Sequence, residues 1–175
     1  YSEAFYNCIG LTSIEIPNSV TSIGSYAFSG CTGLTSVVIG DNVAEISREA
    51  FAGCTGLKEV HINDLPAWCK IKFNNPQSQP LYYAQNLYLN GEKVTDFVIS
   101  DSITEIKDYA FYNCKGLTNI VIPDGFTSIG KSAFNSCNNV EALYISNTIE
   151  SIGDNAFAAC KKIIDIKIGS KRAIT

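Results

Sequence analysis

The chain has 175 residues, of which 46% are hydrophobic and 17% are charged, and its formal net charge is −4. A chain of this length can bury roughly 70% of its unfolded surface, which predicts one globular domain with its own core. No run approaches 18 consecutive apolar residues, which argues against membrane insertion, and mild acidity without clustered Lys and Arg argues against nucleic-acid binding. The single histidine leaves little room for multi-histidine metal sites or Ser-His-Asp chemistry.

The first pattern along the chain is Ala-Phe followed, after two residues, by Cys. Successive phenylalanines of this motif are separated by 23, 23, 60, 23 and 23 residues. Such a fixed period indicates a repeat protein. The six copies begin at Ala4, Ala27, Ala50, Ala110, Ala133 and Ala156.

A second pattern, apolar-x-x-apolar-x-apolar, follows each copy. Its last two positions alternate with a variable residue, which is the period of a half-buried β-strand, and most are β-branched. Because the connections are too long for hairpins, each strand is predicted to lie parallel to the previous one. The copies are Leu11/Ile14/Ile16, Leu34/Val37/Ile39, Leu57/Val60/Ile62, Val94/Phe97/Ile99, Leu117/Ile120/Ile122, Val140/Leu143/Ile145 and Ile163/Ile166/Ile168.

The return path of each repeat has apolar positions of its own, such as Val20 and Ile23. Pro17 and Pro123 are predicted to end strands, because proline cannot donate a hydrogen bond to a central ladder. Glycine recurs at one repeat position (residues 24, 130 and 153), where we expect a turn with positive φ. Each repeat directs about eight residues inward, and only stacked neighbours can bury them. The sequence therefore predicts a solenoid of about seven coils of 23 residues, with one coil enlarged to 37.

The segments Leu11–Cys31 and Leu117–Cys137 resemble the BspA-type leucine-rich repeat almost residue for residue, and the resemblance covers residues 1–62 and 94–168. It implies a right-handed leucine-rich-repeat coil stack with one parallel β-sheet. Members of this family are typically secreted or displayed on bacterial cell surfaces, and some are associated with adhesion. The resemblance thus implies an extracellular or cell-surface location.

We predict a single solenoid domain over residues 1–175. The chain starts without Met and without a basic-then-apolar leader, so we expect a mature chain or a fragment of a longer protein. Both ends fall within the repeat array, which favours a fragment.

The enlarged coil, residues 57–94, carries 14 more residues than its neighbours and is predicted to be irregular. Asn90-Gly91, between Leu87-Tyr88-Leu89 and Val94, is a strong signal for a two-residue β-hairpin. The segment is rich in aromatic residues, and two interpretations stay open: a local core packed against the solenoid, or an aromatic contact patch for a protein or a glycan. The candidate patch consists of Trp68, Tyr82, Tyr83 and Tyr88.

Six of the seven cysteines share one repeat position and should form an inward column of free thiols, which behave as small hydrophobic groups. Parallel Cα–Cβ vectors disfavour disulfides between them, and there is no Cys-x-x-Cys pair with zinc spacing. Cys69 lies outside the column, and we expect the native protein to react with a thiol reagent at Cys69 at most.

His61 falls on a variable strand position and is predicted to face outward as a surface residue. Catalysis would require a paired nucleophile in a cleft, and a regular stacked sheet provides no cleft. No phosphate-binding glycine loop or calcium loop is present. We therefore predict a protein that is not an enzyme and uses no cofactor or metal.

The outward face of the strands is the predicted docking surface, because many coils can each contribute one contact. A central apolar stripe of Val38, Val98 and Val121 is expected to end at Tyr144. The predicted function is a protein-interaction or adhesion module that binds an extracellular-matrix or cell-surface protein. The alternative is a carbohydrate-binding module centred on the aromatic coil. The candidate partner-binding residues are Glu15, Val38, Glu59, His61, Asp96, Val98, Asn119, Val121, Tyr144 and Lys167.

Overall fold

The computed structural model describes residues 1–99 and 103–169, and the rest of the predicted domain (100–102 and 170–175) lies outside the described residues. The chain forms a parallel β-solenoid of about seven stacked turns. A regular turn contributes one strand of four residues and one of two residues, which we call the long and the short strand.

The first half of the stack contains the only helices of the described chain. In chain order its elements are β1 (Ser13–Ile16), β2 (Ser22–Ile23), β3 (Ser36–Ile39), β4 (Glu45–Ile46), β5 (Glu59–Ile62), α1 (Leu65–Lys70), β6 (Lys72–Phe73), a 3₁₀ turn (Pro76–Ser78), α2 (Leu81–Ala84), β7 (Leu87–Leu89) and β8 (Glu92–Lys93).

The second half repeats the regular pattern of long and short strands. Its elements are β9 (Asp96–Phe97), β10 (Glu105–Ile106), β11 (Asn119–Ile122), β12 (Ser128–Ile129), β13 (Ala142–Ile145), β14 (Ser151–Ile152) and β15 (Asp165–Ile168). Strands β1 and β11 end immediately before Pro17 and Pro123, as predicted.

The long strands pair in parallel, and in the regular turns paired residues are 23 positions apart, as in Ile14–Val37 and Ile120–Leu143. Where the sequence suggested one continuous sheet, the described residues form two, ordered β1-β3-β5-β7-β8 and β15-β13-β11-β9. The short strands likewise form two sheets, β2-β4-β6 and β10-β12-β14. Both interruptions fall at the enlarged coil, residues 57–94, which we call the junction coil.

The core is one continuous hydrophobic cluster that runs through both halves. The phenylalanines of the repeat stack along its axis: Phe5, Phe28 and Phe51 have successive ring centroids 5.2 Å apart with nearly parallel planes. Phe111 and Phe134 repeat this arrangement at 5.1 Å. The rings give each regular turn an equivalent flat surface on which the next regular turn packs.

The cysteine column lies beside the phenylalanine stack, and all seven cysteines are free thiols, as predicted. The Cys54 thiol donates to the Phe28 carbonyl of the preceding turn at 3.1 Å, and Cys137 does the same to Phe111 at 3.2 Å. Burial raises the pKa of the Cys54 and Cys114 thiols to about 12. The buried members of the column are therefore structural and unreactive in the folded chain.

The repeated glycines have a different role from the one predicted. Gly130 and Gly153 do not have positive φ. Instead, a Cβ added at Gly130 would lie 2.5 Å from the backbone nitrogen of Asp108, and one at Gly153 would lie 2.4 Å from that of Lys131. Glycine is required here because the backbones of successive turns approach each other too closely for a side chain.

The junction coil consists of one complete turn and a hairpin. Val60 of β5 pairs with Leu87 of β7, 27 residues later, and the next core strand position, Phe97, follows after 10 more. These 37 residues account for the predicted enlargement. The predicted hairpin is present: β8 pairs antiparallel with β7, and Asn90 and Gly91 have φ of 51° and 85°, as a type I′ turn requires.

Two side chains of the junction coil replace a missing backbone donor. In a regular turn the N–H of the motif phenylalanine donates to the alanine carbonyl of the next turn, as Phe28 does to Ala50 at 2.8 Å. The junction coil has no such phenylalanine, and the Ala110 carbonyl instead accepts hydrogen bonds from Trp68 Nε1 at 2.9 Å and Gln79 Nε2 at 3.0 Å. Both side chains are buried, so they join the two halves from within the core.

Candidate interaction surface

The candidate surface is the outward face of the long strands. Inward positions such as Val37, Val60 and Ile120 have no exposed surface, whereas their outward neighbours are exposed or half-buried. The strand alternation therefore placed each predicted partner-binding residue on the accessible side of the sheet. The hairpin of the junction coil divides this face into two patches.

The N-terminal patch lies on the first sheet. The strand register aligns Glu15 with Val38, Val38 with His61, and His61 with Tyr88. The rings of His61 and Tyr88 stack with centroids 4.9 Å apart, and His61 Nε2 lies 3.1 Å from the Glu59 carboxylate. We define the N-terminal patch as Glu15, Val38, Glu59, His61 and Tyr88.

The C-terminal patch lies on the second sheet. Val121 aligns with Tyr144, and Tyr144 with Lys167, while Asp96 aligns with Asn119 in the neighbouring row. Val98, just beyond β9, is 66% exposed. The Tyr144 hydroxyl donates to the Gly169 carbonyl, which fixes its ring over the last described strand. We define the C-terminal patch as Asp96, Val98, Asn119, Val121, Tyr144 and Lys167.

The predicted apolar stripe is not continuous, which corrects the expectation from sequence. His61 and Tyr88 follow Val38 along the sheet, and Tyr88 then pairs with Lys93 of the hairpin. Val98 therefore follows β9 of the second sheet, whereas Val38 belongs to β3 of the first. The reason is that the junction coil adds a long strand of its own, β7, before the next regular turn begins.

The four residues of the candidate aromatic patch do not form one surface. Trp68 is only 1% exposed and packs against Phe73, with ring centroids 5.3 Å apart. Tyr88 belongs to the N-terminal patch. A glycan site centred on Trp68 is wrong, because its indole lies inside the core.

The other two tyrosines lie on the flank of the solenoid. The Tyr83 hydroxyl accepts a hydrogen bond from the Gly53 N–H at 2.8 Å, so its polar end is engaged within the chain. Tyr82 stacks on Tyr112 of the following turn at 5.8 Å and is half-buried. Trp68 and Tyr83 therefore fit the first interpretation of the aromatic coil, a local core packed against the solenoid.

Sequence reasoning missed the outward position of Tyr88 and the eighth long strand that presents it. The signal was present: Ala84-x-x-Leu87-x-Leu89 has the same spacing as the other strand patterns. Alanine at the first apolar position concealed it.

Over residues 1–99 and 103–169, no group of three or more His, Cys, Asp or Glu side chains is arranged to hold a metal ion. No helix within the same ranges has the length and apolarity to cross a membrane.

The stacked parallel turns, the repeat length and the inward Phe and Cys columns define a solenoid of the leucine-rich repeat class. The family model of the BspA type leucine rich repeat region matches residues 1–76 and 83–174 in six copies, and the chain belongs to this family.

Three solved structures are similar to this chain, and the first of them supports the fold. A leucine-rich repeat protein from Bacteroides ovatus is 25% identical, with a TM-score of 0.62, over 97% of this chain and 42% of that protein. A leucine rich cell surface protein from Faecalibacterium prausnitzii is 20% identical, with a TM-score of 0.47, over 98% of this chain and 63% of that one. The pneumococcal vaccine antigen PcpA is 18% identical, with a TM-score of 0.44, over 91% of this chain and 51% of the antigen. The chain thus spans less than half of the Bacteroides protein, and no curated protein sequence matches it significantly.

Proposed function

We propose that this chain is a non-enzymatic protein-interaction module of a bacterial surface or secreted protein, and that it binds an extracellular-matrix or cell-surface protein through the outward face of its long strands. Membership of the BspA type family supports a role in protein interaction. Members of this family are typically secreted or displayed on bacterial cell surfaces, which supports a location outside the cell.

The observation that carries the proposal is the stacked pair His61–Tyr88 on the N-terminal patch. The two rings, 4.9 Å apart, restrain each other on rigid strands, so little side-chain entropy is lost when a partner covers them. Tyrosine offers a large apolar face and a polar hydroxyl, which suits the centre of a partly hydrated interface. Val38 on the neighbouring strand extends the apolar contact.

The C-terminal patch has the same design on a smaller scale. Tyr144 is held by its bond to the Gly169 carbonyl, and Val121 lies beside it on the next strand. Charged residues border the aromatic ring, including Lys167, whose ammonium group is 3.2 Å from Asp165. A tyrosine anchor with a charged rim is the usual composition of a binding surface.

Two double variants test the proposal against immobilised collagen, laminin and vitronectin by surface plasmon resonance. His61→Ala with Tyr88→Ala removes the anchor of the N-terminal patch, and Val121→Ser with Tyr144→Ala removes that of the C-terminal patch. We expect at least one of them to raise the Kd more than tenfold, since loss of an anchor residue typically costs about 2 kcal/mol or more. The urea midpoint should change little, because all four side chains face outward.

The matched control is Tyr82→Ala, which removes a tyrosine of similar exposure from the flank. It should leave the Kd within twofold of the parent value. If Tyr82→Ala abolishes binding while both sheet variants bind normally, or if no protein of the panel binds the parent chain, the proposal is wrong.

A further inference from the structure

An open groove of about 820 Å³ lies on the short-strand face. None of its lining residues belongs to the two patches of the long strands. It begins at β6 and crosses β10, β12 and β14, so it spans the interruption between the two short-strand sheets. Its volume falls within the roughly 300–1,000 Å³ typical of ligand pockets.

The floor of the groove is low because the repeat places small residues there. Along the register, Glu105 is followed by Ser128 and then by Ser151. The adjacent row contains Gly130 and Gly153, where close approach of the backbones excludes any side chain. The depression is therefore built into the backbone and does not depend on a choice of rotamer.

The lining mixes polar and apolar surface and has no net charge. Three lysines (72, 107 and 131) face three carboxylates (105, 108 and 154). Lys107 Nζ lies 2.8 Å from Glu105, and the Asp108 carboxylate accepts the backbone N–H of Lys131 at 2.7 Å. An anionic or cationic ligand would meet a balanced set of partly paired charges, so the groove favours neither.

One wall is aromatic. Tyr109 lines the groove and is half-buried, and its ring lies 6.3 Å from that of Tyr112. Tyr112 in turn stacks on Tyr82, so a row of three tyrosines leads from the groove onto the flank of the solenoid. An aromatic wall beside many donors and acceptors is what a ligand with both an apolar and a hydroxylated surface requires.

We propose that this groove binds an uncharged oligosaccharide, with a sugar ring against Tyr109 and its hydroxyls on the polar lining. A pyranose has an apolar C–H face and an edge of hydroxyls, each both donor and acceptor, which suits a lining that includes Tyr109, Asn74 and Asp108. An added peptide strand is disfavoured, because the Lys107 N–H at the edge of β10 already donates to the Cys69 carbonyl at 2.9 Å.

The repeat supplies closely matched variants for the test. Tyr109 and Tyr26 both precede the Ala-Phe motif and have φ of 62° and 58°, but only Tyr109 lines the groove. Asn155 occupies the same repeat position with φ of 58°, so Tyr109→Asn and Tyr26→Asn introduce a residue that the position accepts. Ser128→Gln fills the floor, and Ser22→Gln makes the same change at the equivalent position outside the groove.

Affinity electrophoresis of the full chain in gels containing dextran, laminarin or mannan tests the proposal, with heparin as a charged probe. We expect at least one of the three neutral polysaccharides to slow the parent chain. Tyr109→Asn and Ser128→Gln should each weaken this retardation at least fivefold, while Tyr26→Asn and Ser22→Gln stay within twofold. Circular dichroism should show that all four variants melt within a few degrees of the parent.

Three results would overturn the inference: no retardation by any neutral polysaccharide, retardation by heparin alone, or equal losses in the groove variants and their matched controls. Polysaccharide binding by the Tyr88→Ala variant distinguishes the groove from the outward face of the long strands. That variant should be slowed as strongly as the parent, whatever the outcome of the matrix-protein experiment.

Discussion

At the scale of single residues, burial decides which cysteine can react. Cys8 lies in the first turn and is exposed, whereas Cys69 is fully buried on the inner side of α1. The expectation that no thiol other than Cys69 would be accessible was therefore wrong, because Cys8 is exposed. The repeat pattern could not reveal this, because it says nothing of how the junction coil packs.

We predict that native protein reacts with a thiol reagent at Cys8 first, and that the five buried cysteines react only after unfolding. The reason is that burial excludes the reagent and raises the pKa of those thiols, so little thiolate is present. Mass spectrometry of partially labelled protein measures this order. Early labelling of Cys54 or Cys114 would contradict the buried column.

The same thiols make stability depend on pH. The pKa of Cys54 rises from 9.0 to about 12 in the folded chain, so above pH 9 the unfolded state loses protons that the folded state retains. The free energy of unfolding should therefore fall as pH rises from 9 towards 12, by up to ~1.4 kcal/mol per pH unit for each such group. Urea titrations of the parent and of Cys54→Ala with Cys114→Ala measure the slope, which should be shallower in the variant. Equal slopes would mean that other groups cause the dependence.

At the scale of elements, the sequence was sufficient where the period held. Ile14 and Ile16, like the apolar pairs of the other regular repeats except Ile99, fall on long strands that pair in parallel as predicted. The repeat pattern did not predict the structure of the junction coil. Its turn contains α1, a 3₁₀ turn and α2, and these segments lack the repeat motif. Trp68 donates a hydrogen bond to the Ala110 carbonyl, which lacks the backbone donor that a regular turn provides. Ala110 is 42 residues away in the sequence, so no local pattern indicates this partner.

Trp68 and Gln79 should be energetically coupled through that carbonyl. Trp68→Phe or Gln79→Met alone leaves Ala110 with one donor, whereas the double variant buries an unsatisfied carbonyl, which costs about 1–3 kcal/mol. The loss of unfolding free energy in the double variant should therefore exceed the sum of the single losses. Urea unfolding of the four proteins provides the cycle, and strict additivity would show that the two donors act independently.

The phenylalanine stack predicts a difference between the middle and the first turn. Phe111 is fully buried between neighbours, so Phe111→Ala should cost about 3–5 kcal/mol. Phe5 is 41% exposed and has one stacked neighbour, so Phe5→Ala should cost clearly less. Chemical denaturation of both variants makes the comparison, and equal losses would contradict stacking between nearest neighbours.

At the scale of the whole molecule, periodicity predicted the stacked turns and the family, because each turn repeats the same core contacts. It did not predict that the outward face is divided, since that depends on the hairpin between Leu89 and Glu92. Nor did it indicate the short-strand groove, which arises from small residues at positions that the repeat leaves variable. Which of these surfaces meets a partner stays a prediction.

The hydrogen bonds between turns have a mechanical consequence. They run parallel to the stacking direction. A force applied to the two ends of the chain therefore breaks the contacts of one turn at a time. Each regular turn should then release about 80 Å of chain, from 23 residues of roughly 3.4 Å each. The junction coil, with 37 residues, should release about 125 Å in one longer step, held back by Trp68 and Gln79. Optical-trap extension would show this uneven ladder of steps, and a single abrupt release would exclude it. A solenoid built in this way should lengthen gradually under tension and keep its remaining turns folded.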